Sequence, residues 1–370
     1  MSDYLRTLPL TKSLLADYDP SRFPGGGKIR YDSVLIATHE YLNANVHPTV
    51  QQRAALHDAG VYLTDHGPKH VELVLQRAST LARTNESARS EHTPHRFFRT
   101  LLDPYEVLLL TLGVHFHDVG NMYGRAGHQQ RIGDIMEQIG SLSALPWSQR
   151  NLIARIASSH AGTIEGDKDT IRLLEVELHD GDIRYRPQLL AGLLRLADEL
   201  SDEYSRADQY GLLAPDELPP TCLPYQKYAQ ALTVWINLAE GQVHFRFQLH
   251  ADDLREPLKK RLANGSEVDV YLLDEIYERT LKTYNEMVYC GKYTRALDTQ
   301  LFELRVEISV FETVRHTQPS HRFSYTIGDV GYPSQPGTSR EILARLARGF
   351  DQVKTGSEIA NLLHTTSLTE

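Results

Sequence analysis

Cysteine is nearly absent. The 370 residues carry two, Cys222 and Cys290, and no CxxC pair. A disulfide framework and a thiolate zinc site are both excluded, so any metal must be held by imidazole and carboxylate donors, which suit Mn, Fe, Co, Ni or Zn better than soft-metal chemistry. No apolar run is long enough to span a bilayer, so no membrane partner is expected. The opening MSDYLRTLPLTKSLLADYDP carries acidic residues and does not read as a signal peptide, which makes a reducing cytoplasm the expected location. A basic excess is missing too: 39 Lys and Arg stand against 48 Asp and Glu, for a formal charge of -9 and a pI near 6.0. Coating nucleic acid needs a basic footprint, so nucleic acid is disfavoured as a partner, whereas a local pocket for a phosphorylated small molecule is not. FPGGGK at 23–28 is Gly-rich but lacks the second glycine and the Lys-Ser/Thr ending of a phosphate loop, and reads as a turn. There is no internal repeat.

What is present is a sizeable apolar fraction, 41%, beside 24% charged residues, enough for a core in one large domain or two ordinary ones. Helical periodicity marks 49–62, 68–83 (PKHVELVLQRASTLAR), 104–117 (PYEVLLLTLGVHFH), 128–140, 146–160 and 185–204, while 84–95 and 161–170 read as loops. The first 210 residues are thus expected to be essentially all-α. Beyond the proline-rich LPPTCLP at 218–224 the pattern changes. ALTVWINLAEGQVHFRFQLH reads as two alternating strands joined at AEGQ, a hairpin signal. A helix is expected at 267–289, a strand at 302–312, a mobile Pro/Gly/Ser-rich stretch at 314–340, and one or two short helices at the end. The fold class expected is mainly α, a helical bundle followed by an α+β portion with a β-hairpin. The divisions fall at 1–48, 49–212, 213–313 and 314–370.

Histidine is the outlier, with 17 copies. The stretch HFHDVGNMYGRAGH follows the apolar YEVLLLTLGV, and burying an unpaired polar or charged group is costly. In chain order the candidates are His66, His70, His115, His117, Asp118, His128, His160 and Asp198, each at or near a predicted helix end, where side chains from several helices can converge. His66 and His70 are spaced i, i+4 and share a face if both are helical. His117 and Asp118 can reach one ion from a helix end, whereas His115, two residues earlier, points elsewhere if the helix persists. Asp198 sits in LLAGLLRLADELSDEYSR, a buried-helix pattern in which a carboxylate needs a partner. Asp202 and Arg206 follow at i+4 and i+8, one able to support a ligand, the other a salt bridge or a phosphate-binding guanidinium.

Together, His70, the His117-Asp118 pair and Asp198 resemble the H…HD…D signature of the HD-domain metal-dependent phosphohydrolases. HVELVLQRA is similar to the family's first-ligand helix, HFHDVGN to its HD-(I/V/L)-G turn, and LLRLADELSDEYSR to its closing helix. Isolated His-Asp pairs carry no such weight, since HDAG at 57–60 and HDGD at 179–182 occur in the same chain. The resemblance spans about 60–206; the layout beyond it is similar to long bacterial HD proteins linked to conflict and antiviral defence. It implies an HD-type bundle with one or two divalent ions (Mn, Fe, Mg, Ni, Co or Zn) held by His70, His117, Asp118 and Asp198. Asp118 would bridge to a second ion held by His128 and His160; with one ion, one of these histidines would instead be the general acid. Lys69, Arg125, Arg206 and His66 are the candidate substrate contacts. The implied substrate is a nucleotide, most specifically a (deoxy)nucleoside triphosphate, although the turn here, HDVGNMYGRAGH, lacks the His and Pro-Phe usual in dNTP hydrolases. A nucleotide-sensing module and a cyclic-nucleotide phosphodiesterase or nuclease are the competing implications, and a homo-oligomer is compatible with each. GYP at 331–333 lies far downstream and is not the HD-GYP signature.

Overall fold

The computed structural model of the protein describes residues 3–55, 64, 66–83, 100–124, 127–163, 166–207, 219–262, 264–297, 300–313, 315, 317–328 and 338–366. The chain divides into two compact units. The first comprises Met1–Asp58, His66–Ser201 and Tyr289–Gln300; the second comprises Ala59–Asp65, Asp202–Val288 and Leu301–Glu370.

The first unit is a helical bundle: α1 (Asp3–Thr7), α2 (Pro9–Ala16), α3 (Tyr31–Asn45), α4 (His47–Ala55), α5 (Pro68–Leu81), α6 (Pro104–Phe116), the single turn α7 (Ile132–Met136), α8 (Trp147–Ser158), a hairpin of β1 (Leu178–Asp180) and β2 (Ile183–Tyr185), and α9 (Pro187–Glu199). Four of these helices, α2, α5, α6 and α9, open on proline at the first turn, where its missing N–H costs nothing. At the centre is α6, apolar nearly all round and buried along its length. Leu108, Leu109, Leu110 and Leu112 are at most 1% exposed, each worth roughly 1.5–3 kcal/mol of burial. Gly113 makes the close packing possible, because a Cβ there would stand 3.2 Å from Ile156 of α8 and 3.7 Å from Leu194 of α9. An Asp103/Glu106 capping box starts α6. The same Glu106, 1% exposed, accepts from the Arg186 side chain at 2.8 and 2.7 Å and from its backbone N–H at 2.9 Å, which ties the start of α6 to the start of α9.

The second unit holds α10 (Leu223–Ala231), β3 (Leu232–Asn237), β4 (Gln242–His250), α11 (Asp252–Arg255), β5 (Leu258–Arg261), β6 (Glu267–Val270), α12 (Leu272–Tyr293, to Val288 in this unit), β7 (Glu303–Phe311), β8 (His321–Gly328), α13 (Ser339–Leu346), β9 (Ala347–Arg348) and α14 (Gly356–Thr366). The main sheet runs β3-β4-β7-β8-β9, with β4 and β7 parallel and the other neighbours antiparallel. Alternation along the strands buries Phe245, Phe247 and Leu249 on β4 and Leu304, Val306, Ile308 and Val310 on β7, so one face forms the core. Among the described residues no helix is long and apolar enough to cross a membrane.

The fold is mainly α with an α+β C-terminal part, and the β3–β4 hairpin turns at 238–241 where AEGQ is read. Four local expectations are corrected. HDGD at 179–182 belongs to the β1–β2 hairpin, with Gly181 at φ +62°, so the first 210 residues are not purely helical. The helix read at 128–140 is a 3₁₀ turn (His128–Arg131) followed by the short α7, because the segment bends to pack on Gly120. Residues 267–270 are strand β6, paired with β5, before α12 begins. The stretch 314–340 contains β8, paired along its whole length with β7. HDAG at 57–60, GYP at 331–333 and the loop at 84–95 lie outside the described residues.

Candidate metal centre

Five segments of the first unit bring the candidates together. His70 stands in the first turn of α5; His117 and Asp118 follow the last turn of α6; His160 lies just beyond α8; and Asp198 is in the last turn of α9. His128 opens the 3₁₀ turn after Gly127, whose φ of +66° redirects the chain. All six are enclosed: the four histidines and Asp118 are at most 7% exposed, and Asp198 is half-buried.

The geometry forms two triads around one carboxylate. The ligand atoms of His70, His117 and Asp118 lie within 4.8 Å of one another, as do those of Asp118, His128 and His160. Asp118 Oδ2 is 3.6 Å from His70 Nε2 and 3.3 Å from His117 Nε2, while Oδ1 is 3.3 Å from His128 Nε2 and 3.6 Å from His160 Nε2. Asp198 Oδ1 joins the first triad, 3.2 Å from His70 Nε2 and 3.7 Å from His117 Nε2.

The donor set fits a cation for a reason internal to the imidazoles. His117 Nδ1 lies 2.6 Å from the Val114 carbonyl and His160 Nδ1 lies 2.7 Å from that of Ala157. A carbonyl only accepts, so each Nδ1 carries the proton and each neutral ring turns a bare Nε2 lone pair inward. There the His117 Nε2 meets the His70 Nε2 at 3.1 Å, and the His160 Nε2 meets the His128 Nε2 at 3.4 Å. Lone pairs and carboxylate oxygens converging in a buried space repel one another unless positive charge lies between them. A divalent cation supplies that charge; in its place a proton must. His117 accordingly has its pKa raised to about 10: burial opposes the charged ring, but Asp118 and Asp198 outweigh it. Burial likewise works against the charged forms of Asp118 and Asp198, yet the surrounding histidines hold both carboxyls well below the usual range. His160 is lowered, mainly by burial, which favours the neutral ring a metal requires.

Two residues of the HDVGN turn maintain this arrangement. Asn121 donates to Asp118 Oδ1 at 2.9 Å and so orients the shared carboxylate. Gly120 lies flat on the backbone of His128: a Cβ there would be 1.8 Å from the His128 carbonyl oxygen. Gly120→Ala is therefore expected to drive the His128 segment off Asp118 and to cost roughly 1–3 kcal/mol or more in stability. Metal analysis should return fewer equivalents per chain than wild type, alongside a lower denaturation midpoint; a variant unchanged in both would refute this account of the turn.

His66 is buried against the first triad, its Nε2 3.8 Å from Asp118 Oδ2 and its ring 5.5 Å from that of His70. Lys69 is exposed beside His70. Arg206 is in the second unit, where it pairs with Asp202 at 3.7 Å, and Asp202 is also bound by Arg279 at 2.6 Å. Because α9 ends at Glu199, Asp202 and Arg206 do not continue the helical face of Asp198, contrary to the i+4 reading. Arg125 lies outside the described residues. Sequence reasoning missed a layer of imidazoles behind the triads. His115 Nε2 contacts His39 Nδ1 at 3.1 Å and its ring stacks on that of His47 at 5.8 Å, while the Asn43 amide lies 3.1 Å from His39 Nε2. Burial, then neighbouring histidines, pushes His47 down to about 3 and His115 well below its ordinary value, so both are neutral rings. The spacing His39, Asn43, His47, each four residues apart, was the available signal.

A family model described as HD-CE matches residues 60–280, more than half of the chain and every member of both triads. No curated protein gives a significant match to the chain.

Proposed function

The chain belongs to the HD-CE family, and from that premise we propose that it is a metal-dependent phosphohydrolase of the HD type whose substrate is a nucleotide, most specifically a nucleoside triphosphate. The observation that carries this reading is the pair of triads sharing Asp118, one carboxylate oxygen to each. The family and the cluster together support an HD-type hydrolase using a divalent metal; the phosphate ester and the nucleotide are the further step.

His70, His117, Asp118 Oδ2 and Asp198 would hold one ion, and Asp118 Oδ1, His128 and His160 a second. When bound, a divalent cation at such a site lowers the pKa of a coordinated water and polarises a phosphoryl oxygen. The protein's own part is to fix the donors. The Val114 and Ala157 carbonyls set the two tautomers, Asn121 sets the carboxylate, and the Glu106–Arg186 link sets the two helices that carry Asp118 and Asp198. The lowered pKa of His160 suits it to be a ligand rather than a store of a proton. Lys69, exposed on the first turn of α5 next to His70, is the candidate phosphate contact among the described residues of the first unit.

The test is metal content together with phosphate, pyrophosphate or triphosphate release from a panel of dNTPs, NTPs, cyclic nucleotides and bis(p-nitrophenyl) phosphate, with Mn²⁺ added. Near-stoichiometric metal with turnover greatest on a nucleoside triphosphate is the expected result. Bound metal with no release from any of them would overturn the phosphohydrolase reading. Failure to bind Mn²⁺, Fe²⁺ or Zn²⁺ would overturn the metal centre itself.

A further inference from the structure

A cavity of about 460 Å³ opens in the first unit beside the second triad, within the roughly 300–1,000 Å³ of typical small-molecule sites. Its wall is built from the residues next to two of the candidate ligands: Gln129 follows His128, and Ser159 and Ala161 flank His160. The floor is aliphatic, with Ile132 and Leu174 buried. The rim is neutral and polar, with the carboxamides of Gln129 and Gln130 and the hydroxyls of Ser158 and Thr163.

Arg155 is the one ionisable residue in the lining, and its guanidinium is committed: it pairs with Glu175 at 3.1 Å and donates to the Leu173 carbonyl at 2.8 Å. A phosphate bound here would find a single cation, already shared with the Glu175 carboxylate. A neutral ring meets no such obstacle. Side-by-side donor and acceptor groups of a glutamine carboxamide match the edge of a nucleobase, as they match adenine elsewhere, and aliphatic walls suit its flat faces.

The cavity is also preformed. Gln129 rests on Gly162, whose φ is +84°, so close that a Cβ there would be 2.6 Å from Gln129 Nε2. The opposite wall is pinned. Thr170 donates to the Ser159 carbonyl at 2.5 Å and accepts from Arg195 at 3.0 Å, while Tyr289 and Tyr293 both donate to Asp169, at 2.9 and 2.6 Å. A fixed wall, a positioned carboxamide and one charge already paired with a carboxylate favour a neutral, edge-reading ligand.

We infer that this cavity binds a neutral heterocycle of nucleobase type. The inference rests on the phosphohydrolase reading only in supposing that the heterocycle is carried by the phosphate ester; a free nucleoside or base acting as an effector presents the same chemistry. The test is calorimetric titration of metal-free protein with adenosine, guanosine, cytidine and thymidine. Two variants accompany it: Gln129→Ala, which removes the edge reader, and Ala154→Phe, which fills the space. Retained Mn²⁺ binding serves as the control for folding. Wild type is expected to bind at least one nucleoside, Gln129→Ala to bind it roughly ten-fold more weakly, and Ala154→Phe not at all. No nucleoside bound by wild type, or one bound equally by both variants, would overturn the inference. With binding established, a KM for the matching nucleotide that rises in Gln129→Ala makes the heterocycle part of the substrate, and an unchanged KM makes it an effector. If no phosphate ester is hydrolysed, the hydrolase reading fails while the titration still decides the pocket.

Discussion

Asp118→Ala is expected to abolish hydrolysis, lowering it by at least roughly 10³-fold, since Lewis-acid stabilisation is worth several kcal/mol and each 1.36 kcal/mol is a factor of ten. No other described residue places one oxygen in each triad, so its loss removes a donor from both at once. It also leaves the inward-turned Nε2 atoms of four histidines without the anion that holds a cation among them. Metal content after reconstitution should fall to near zero while the circular dichroism spectrum stays helical. The contrasting variant is His128→Ala, which removes a donor from the second triad only and should retain the first ion. If Asp118→Ala bound metal and turned over like wild type, the two triads would not be the catalytic centre, whatever else they hold.

Glu106→Ala is expected to cost about 3–5 kcal/mol in stability, the usual penalty for stripping a buried charge of its partner. Glu106 accepts from the Arg186 guanidinium, from the Arg186 backbone and from the Asp103 backbone at 3.0 Å, so truncation strands several donors together. The measurement is the urea midpoint of the helical signal. A second comparison isolates the mechanism: Glu106→Leu combined with Arg186→Met should be less destabilised than Glu106→Ala, because neither charge is left unpaired. A single-variant cost below about 1 kcal/mol would mean that water screens the pair and that it behaves as an ordinary surface bridge.

How much of this was visible beforehand depends on the range of the cause. The candidate ligands His70, His117, Asp118 and Asp198, which the structure brings together, were legible as a group because each carries its context locally, at an end of an amphipathic or buried helix, and because their order matters. The β3–β4 hairpin was legible for the same reason, since alternation and turn chemistry lie within one short segment. The Glu106–Arg186 link was not, because its partners are 80 residues apart in sequence. Strand β8 was misread because its surroundings are rich in Pro, Gly and Ser, and its identity depends on a pairing with β7 that composition does not reveal. The break between His128 and α7 has its cause at Gly120, where the absence of a side chain admits the His128 carbonyl. His39 and His47 were passed over because each, taken singly, looks like any helical histidine; only the approach of His115 gives them a common purpose.

The sharing of Asp118 has a consequence in electroneutrality. Asp118 and Asp198 are both held ionised, and imidazoles serving as metal ligands would be neutral, so the donor set would carry two negative charges. Two charges balance one divalent cation. A second would leave a buried surplus of positive charge, an expensive state that a hydroxide or a phosphoryl group would neutralise. Occupancy of the second triad and arrival of an anion are then thermodynamically linked, each raising the affinity for the other by the same factor. On the proposed reading, such a centre would hold one ion at rest and would be completed by its own substrate.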